Sequence, residues 1–372
     1  MVAVISNSLW DRLGGQERVR ALLESAAQNP RGPYLLAGPP GVGKSDAARV
    51  LAAAILCDKA CGECGICTRV LSGLHPDVHI HHPEGFTYPV DMIREVVASS
   101  AQTPLEASRR VIIIEEADRI VERSQNALLK ALEEPGASVT WILVADVLDV
   151  FLPTILSRCH LVEFTPVPEE HVRDLLLKRF ELTDSEAGDL TRMARGNLEQ
   201  AIALASSEVA RRIRILAIET ATRSSSLAWA LGQTEEVQQL AGEARQEVAE
   251  AQAVELSALE DALGKGRGTA GARKKTTDRH KRELRRTETE VYLDFLGWIG
   301  TAFRDLAAAS SGSDAESLVN RDRAGEILEA SQTKPAIFWL NLAEKASEAR
   351  IRILENANAA MVIESVVLRL AE

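Results

Sequence analysis

The sequence has no apolar run approaching the ~18 to 20 residues that span a membrane. Its opening stretch, Met1 to Trp10, lacks the charged head and long apolar core of a secretory leader. A cytosolic protein is therefore expected. Excess positive charge is also missing. The 43 Lys and Arg face 54 Asp and Glu, and a net charge of −11 argues against a protein that grips nucleic acid over its whole surface. Any DNA contact is expected to be local. Internal repeats are absent. Cysteine is scarce outside one place: four of the five fall between Cys57 and Cys67, and Cys159 stands alone.

At 372 residues and 46% hydrophobic composition, the chain is long enough for two or three domains. Its first half alternates short β-branched runs with amphipathic helical stretches, the pattern of helices packed on a mostly parallel sheet. Strands are expected at Tyr34 to Ala37, Val78 to His81, Val111 to Ile114, Thr140 to Ala145 and Leu161 to Phe164. The run Val111 to Ile114 has no polar alternation and reads as a central strand buried on both faces. Strand signals stop at Pro168 and Leu/Ala-rich helical periodicity takes over. The expected architecture is α/β followed by all-α: residues 1–166 as a domain with a parallel sheet, 167–207 as a small helical unit and 208–372 as a longer helical domain.

That last domain carries a charge block over residues 234–286. Residues 234–261 hold eight acids and one Arg, while 264–286 hold ten Lys/Arg and two acids, with glycines at 264, 266, 268 and 271 between the halves. Two helices folding back with complementary charge, or an acidic helix followed by a solvated or disordered basic arm, both satisfy this pattern. Nucleic-acid contact is a further reading of the basic half.

Gly38, Pro39, Pro40, Gly41, Val42, Gly43, Lys44 and Ser45 form a complete G-x-x-x-x-G-K-[ST] phosphate loop between a strand and a helix expected from Ser45 to Leu56. The glycines let backbone N–H groups converge on phosphate oxygens and the helix N-terminus adds positive dipole. Lys44 reaches the β- and γ-phosphates and Ser45 can ligate Mg²⁺. ATP or ADP with Mg²⁺ is the expected ligand. The acidic pair that completes such a site is Glu115-Glu116, after the buried strand. The first position holds the longer Glu instead of Asp, which sets its carboxylate further from the strand and puts hydrolysis in doubt. Both glutamates also suit a helix start.

Cys57, Cys61, Cys64 and Cys67 supply four thiolates at spacings that fit one tetrahedral Zn²⁺ with no open position, hence a structural site. In a reducing cytosol this cluster reads as metal ligands before disulfides. Gly62 and Gly65 are expected to allow tight turns between ligands. His75, His79, His81 and His82 lie nearby and read as loop and strand residues. Arg158, in Leu156-Ser157-Arg158-Cys159, taken alone reads as a local ion-pair partner.

These segments together resemble the clamp-loader family of AAA+ proteins. The resemblance is carried by Trp10-Asp-x-Leu-Gly-Gly-Gln16-Glu17, Gly38 to Ser45, the four-cysteine module, Gly-Leu-His-Pro-Asp77, Asn126 through Glu133-Glu134-Pro135, and Leu-Ser-Arg-Cys159. It implies an AAA+ phosphate-loop domain, a helical lid and a helical collar. It also implies that Arg158 serves as an arginine finger to a neighbouring subunit's nucleotide. Within the family, Glu115-Glu-Ala-Asp118 and the carboxyl-terminal Leu354-Glu-Asn356-Ala-Asn358 through Leu370 resemble the delta-prime class. The ATP-hydrolysing class usually shows Asp-Glu after the buried strand. Glu199 stands where an active member places a sensor arginine, and Asp146 stands where one places Thr or Asn. Anions there repel a γ-phosphate. The resemblance thus implies a stator with weak or absent ATPase activity in a bacterial, replisome-associated cytoplasmic hetero-pentamer. Its implied partners are gamma/tau-type ATPase subunits, a delta subunit, the sliding clamp and primed DNA. The alternative is the ATP-hydrolysing subunit itself.

Overall fold

A computed structural model describes residues 9–30, 32–83, 87–223, 227–263, 269–355 and 357–371. Most of Met1 to Trp10, glycines 264, 266 and 268, and Asn356 lie outside the described residues. The chain divides into two compact units, Met1–Ala205 and Ser206–Glu372.

In the first unit, β1 (Tyr34–Ala37), β2 (Val78–His81), β3 (Arg110–Ile114), β4 (Val139–Ala145) and β5 (His160–Glu163) form one all-parallel sheet in the order β2-β3-β4-β1-β5. The five expected strands are present; β3, β4 and β5 each begin one residue early, and Phe164 N–H continues the β5 ladder to Ala37 O. Side chains alternate between faces along each strand, so the unbroken run of β3 is shared by two cores. Val111 and Ile113 join Leu36, Ile142 and Val144 on one face, while Ile112 and Ile114 join Leu35, Trp141 and Leu143 on the other. Burial on both faces is what selects continuous β-branched residues there. β1 lies between β4 and β5, one strand in from the edge of the sheet, and its carboxyl end feeds the loop that leads into the next helix.

Around the sheet run α1 (Glu17–Gln28), α2 (Lys44–Leu56), α3 (Gly65–Leu71), α4 (Val90–Ser100), α5 (Glu122–Glu133) and the single turn α6 (Pro153–Leu156). Alanines 47, 48, 52 and 53 let α2 lie close on the first face. After Pro168, α7 (Glu169–Arg179), α8 (Asp184–Ala194) and α9 (Leu198–Ser206) follow. A capping box between Thr183 and Glu186 starts α8, and Arg195 in left-handed conformation ends it.

The second unit is helical among its described residues: α10 (Glu208–Thr222), α11 (Leu227–Leu263), α12 (Thr269–Ser310), α13 (Ala324–Ser331), α14 (Ala336–Leu354) and α15 (Ala359–Val367). Phe295, Ile299, Phe303 and Leu306 of α12 are fully buried, and Phe303 stacks on Trp339 of α14. The charge block takes the folded-back form. Arg245 pairs with Glu288 and Gln252 with Glu283, so α11 and α12 run antiparallel. In the first link the acidic helix contributes its arginine and the basic helix a glutamate; in the second a neutral glutamine donates to a glutamate.

Candidate functional site

The phosphate loop turns out of β1 and into α2. Gly38 passes so close to the end of β5 that a Cβ there would stand 2.5 Å from Phe164 O. Gly43 caps α2 with φ +90°, a backbone that only glycine adopts without strain, and nothing lies within 4 Å of where its Cβ would be. The space beside the first turn of α2 is thus open, as an anion cradle requires, and Gly43 starts the helix whose N–H groups and dipole face it. The loop fits a phosphate on these grounds.

Lys44 is 5% exposed, and its ammonium uses all three of its donors. It donates to Gly38 O at 2.8 Å and Pro39 O at 2.5 Å, and lies 2.8 Å from Asp146 Oδ1. Asp146 directly follows β4, and its own N–H donates to Asp118 Oδ1 at 3.3 Å. Burial, with Asp146 close by, raises the Asp118 carboxyl above the ordinary range. Ser45 Oγ donates to Glu115 Oε2 at 2.6 Å, joining the loop to the end of β3. Glu115 directly follows β3, so its carboxylate bridges the strand end and the loop. Tyr88 Oη fixes the turn by donating to the Glu115 carbonyl at 2.6 Å. Glu116, in left-handed conformation, turns instead to Arg119 at 2.8 Å.

Asn197 was not singled out by its sequence and is the main addition to the site. Leu198 N–H and Glu199 N–H, at the start of α9, donate to Gly41 O at 2.7 and 3.2 Å. Asn197 lies on the same glycine, whose Cβ would fall 1.9 Å from Asn197 Oδ1. Any side chain at position 41 would expel this contact. The signal in the sequence was the Arg195-Gly196 turn, which aims α9 at the loop. Gly196 is crowded, its Cβ position 2.6 Å from Pro166 Cβ.

The four cysteines converge with all Sγ atoms within 4.8 Å of one another. Cys57 Sγ stands 3.9 Å from Cys61 Sγ and 3.7 Å from Cys64 Sγ. Zn–S bonds of about 2.3 Å in a tetrahedron give an S···S edge of about 3.8 Å, which the two Cys57 distances match, so the cluster could hold zinc. Cys57 ends α2 and Cys67 is buried within α3. Gly62 takes positive φ between the ligands, but Gly65 opens α3 and makes no such turn. Burial pushes the Cys57 thiol up, but N–H donors from Cys61 and Lys59 outweigh it and the thiol sits low. Cys67, in the core, is pushed up by burial.

The histidines take structural places. His75 Nδ1 accepts from Asp77 N–H, and the Asp77 carboxylate accepts N–H groups from Leu105, Glu106 and Ala107 at 2.6 to 2.8 Å. His79 and His81 stack on β2, and burial lowers His81 to about 4. Arg158 is an exposed residue between α6 and β5. Its guanidinium donates to Thr154 O at 2.7 Å and pairs with Glu133 at 2.5 Å. Beside it, burial raises the Cys159 thiol to about 12. Arg158 is thus remote in role from its own phosphate loop, while Lys44, Ser45, Glu115, Asp118 and Asp146 gather at one place.

The family described as DNA polymerase III, delta subunit, matches residues 15–168. A DNA polymerase III subunit delta' of Bacillus subtilis is 34% identical over 170 residues, 44% of this chain and 52% of that protein. One of Pseudomonas aeruginosa is 38% identical over 159 residues, 41% and 45% of the two chains. A gamma/tau subunit of Mycobacterium tuberculosis is 32% identical over 172 residues, 44% of this chain and 30% of that protein. The chain spans about half the length of the delta' relatives it matches. Among the described residues no helix is long and apolar enough to cross a membrane.

Proposed function

We propose, from the premise that this chain is a clamp-loader subunit of the delta-prime kind, that it serves as the stator of a DNA polymerase III clamp loader. In this reading it supports ATP-dependent loading of a sliding clamp onto primed DNA, with gamma/tau-type ATPase subunits and a delta subunit as partners in a hetero-pentamer. Residues 167–207 act as a lid over the phosphate loop and the helical region from 208 as the collar.

The observation that carries the stator reading is the Lys44–Asp146 ion pair. A hydrolytic site needs uncompensated positive charge and a polar, neutral orienting group where charge develops on the γ-phosphate. Here the loop lysine already faces a fixed carboxylate. The chain binds ATP or ADP with Mg²⁺ through Gly38 to Ser45, with Glu115 and Glu116 as the acidic pair, and turns it over slowly. Its catalytic contribution goes to a neighbour: Arg158, on the surface, is the finger that stabilises charge on the adjacent subunit's nucleotide. Zinc in the four-cysteine module holds α2 to α3 and does no chemistry.

Ser45–Glu115 contact favours a second reading, the ATP-hydrolysing subunit itself, because it joins the two halves of a metal–phosphate site. One pair of measurements decides. Co-expression with gamma/tau and delta subunits is expected to yield a single complex containing one copy of this chain. The isolated chain is expected to turn over ATP far below ~1 s⁻¹. Homo-oligomers with fast turnover that Lys44→Ala abolishes would establish the second reading.

A further inference from the structure

Asp146 is anchored where it stands. It follows the last residue of β4, the strand that pairs with both β1 and β3, and its N–H is held by Asp118. Its carboxylate occupies the one charged partner position of Lys44, the other two being backbone carbonyls of the loop itself. A phosphate that enters the loop takes that position in exchange, and the displaced carboxylate stays within a few ångströms because its backbone belongs to the sheet. Asp118 adds a second carboxyl behind it.

We propose that Asp146 makes this a site for nucleoside diphosphates in preference to triphosphates. The inference rests on the nucleotide-binding reading of Lys44 given above. A loop lysine of this type spans the β- and γ-phosphates. The β-phosphate lies in the cradle of N–H groups at the start of α2, while a γ-phosphate extends toward the lysine tip and meets the Asp146 carboxylate. Two anions a few ångströms apart in a half-buried site repel by enough to change affinity about tenfold, and a diphosphate escapes most of this. Asp146 is thus a specificity-determining residue that holds the subunit in the diphosphate-bound form, whatever the state of its neighbours.

Calorimetric titration of the full chain with ADP and with ATP, each in Mg²⁺ and in EDTA, tests this. The wild-type protein is expected to bind ADP about tenfold more tightly than ATP. Asp146→Asn, and Asp146→Thr as a second neutral variant, are expected to bring the two affinities together by tightening ATP. Zinc content and helicity of both variants serve as controls of folding. Equal or tighter binding of ATP by the wild type overturns the proposal, as does an ADP preference that survives both substitutions. Loss of ATP binding on Asp146→Asn in Mg²⁺ alone also overturns it, by making Asp146 a metal ligand. Absence of binding of either nucleotide to all three folded proteins refutes the nucleotide-binding reading itself, a result distinct from binding without discrimination.

Discussion

The Arg158 guanidinium is held between the Glu133 carboxylate, 2.5 Å away, and the Thr154 carbonyl, with the residue still exposed. Glu133 ends α5 and Arg158 follows α6, so the pair ties the motif Glu133-Glu134-Pro135 to the motif Ser157-Arg158-Cys159. An arginine aimed at a neighbouring subunit benefits from such a brace, which narrows its rotamers without burying its charge. In an assembled loader, Arg158→Ala is expected to reduce DNA-stimulated ATP hydrolysis by roughly 10³-fold at the dependent site. Arg158→Lys stays impaired because it lacks the planar fork. Glu133→Gln should lower hydrolysis far less than Arg158→Ala and have no further effect on top of it. Steady-state ATPase assays on reconstituted complexes measure all three. Unchanged hydrolysis with Arg158→Ala leaves the arginine a local ion-pair partner.

Metal removal is expected to loosen the first unit. The cysteines join the end of α2 to α3, whose Cys67 and Val70 belong to the same core as the sheet. Cys64→Ser should lower zinc content to a trace and reduce the melting temperature by several degrees, since metal binding energy is folding energy in such a site. Because the ligands must be deprotonated, zinc retention should also fall as pH falls. Elemental analysis with thermal melts tests this; a full-strength protein that carries no zinc after purification without chelators removes the assignment.

The second unit hides a buried charge. Arg214, 6% exposed, donates to Asp322 at 2.5 and 2.9 Å and to Asn320 at 3.0 Å, with Trp298 against its guanidinium. Asn320 is held in turn by Asp305, which accepts from its N–H and its side-chain amide. Removing one partner leaves the rest desolvated, so Arg214→Ala should cost about 3 kcal/mol. Denaturant unfolding followed at the tryptophans, three of whose five (Trp229, Trp298 and Trp339) lie in this unit's helices, provides the readout. A loss under about 0.5 kcal/mol, typical of an exposed surface pair, rejects the buried-network account.

Asp77 links stability to pH. Burial opposes its charge, but three N–H donors from Leu105, Glu106 and Ala107 prevail and depress its pKa. A group whose folded pKa is depressed contributes stability above its unfolded value, about 4, and loses it as pH falls through the folded value. Asp77→Asn should therefore destabilise at neutral pH and differ less and less from wild type below about pH 4. Urea midpoints of both proteins between pH 7 and 3 test the sign; a gap that widens in acid contradicts it.

Much of the first unit follows from the sequence alone, because its signals are local. The run Val111 to Ile114 can satisfy burial on both faces only as a central strand. The glycines and Lys44 mark a phosphate loop by the backbone geometry they permit, and four cysteines at short spacing converge on one point almost regardless of what surrounds them. Tertiary structure decided which groups those local elements meet. Lys44 finds Asp146 only because β1 and β4 are neighbours although the two residues stand 102 positions apart in the chain. Asn197 reaches Gly41 only because α9 turns back at Gly196, and Glu133 braces Arg158 only because α5 and α6 pack together. The charge block shows the same division. Its composition allowed a solvated arm or a hairpin, and the described residues form the hairpin, with α11 and α12 linked by Arg245 to Glu288 and by Gln252 to Glu283. Composition sums charges over a segment, whereas pairing depends on which few side chains share a face, and only the fold sets that.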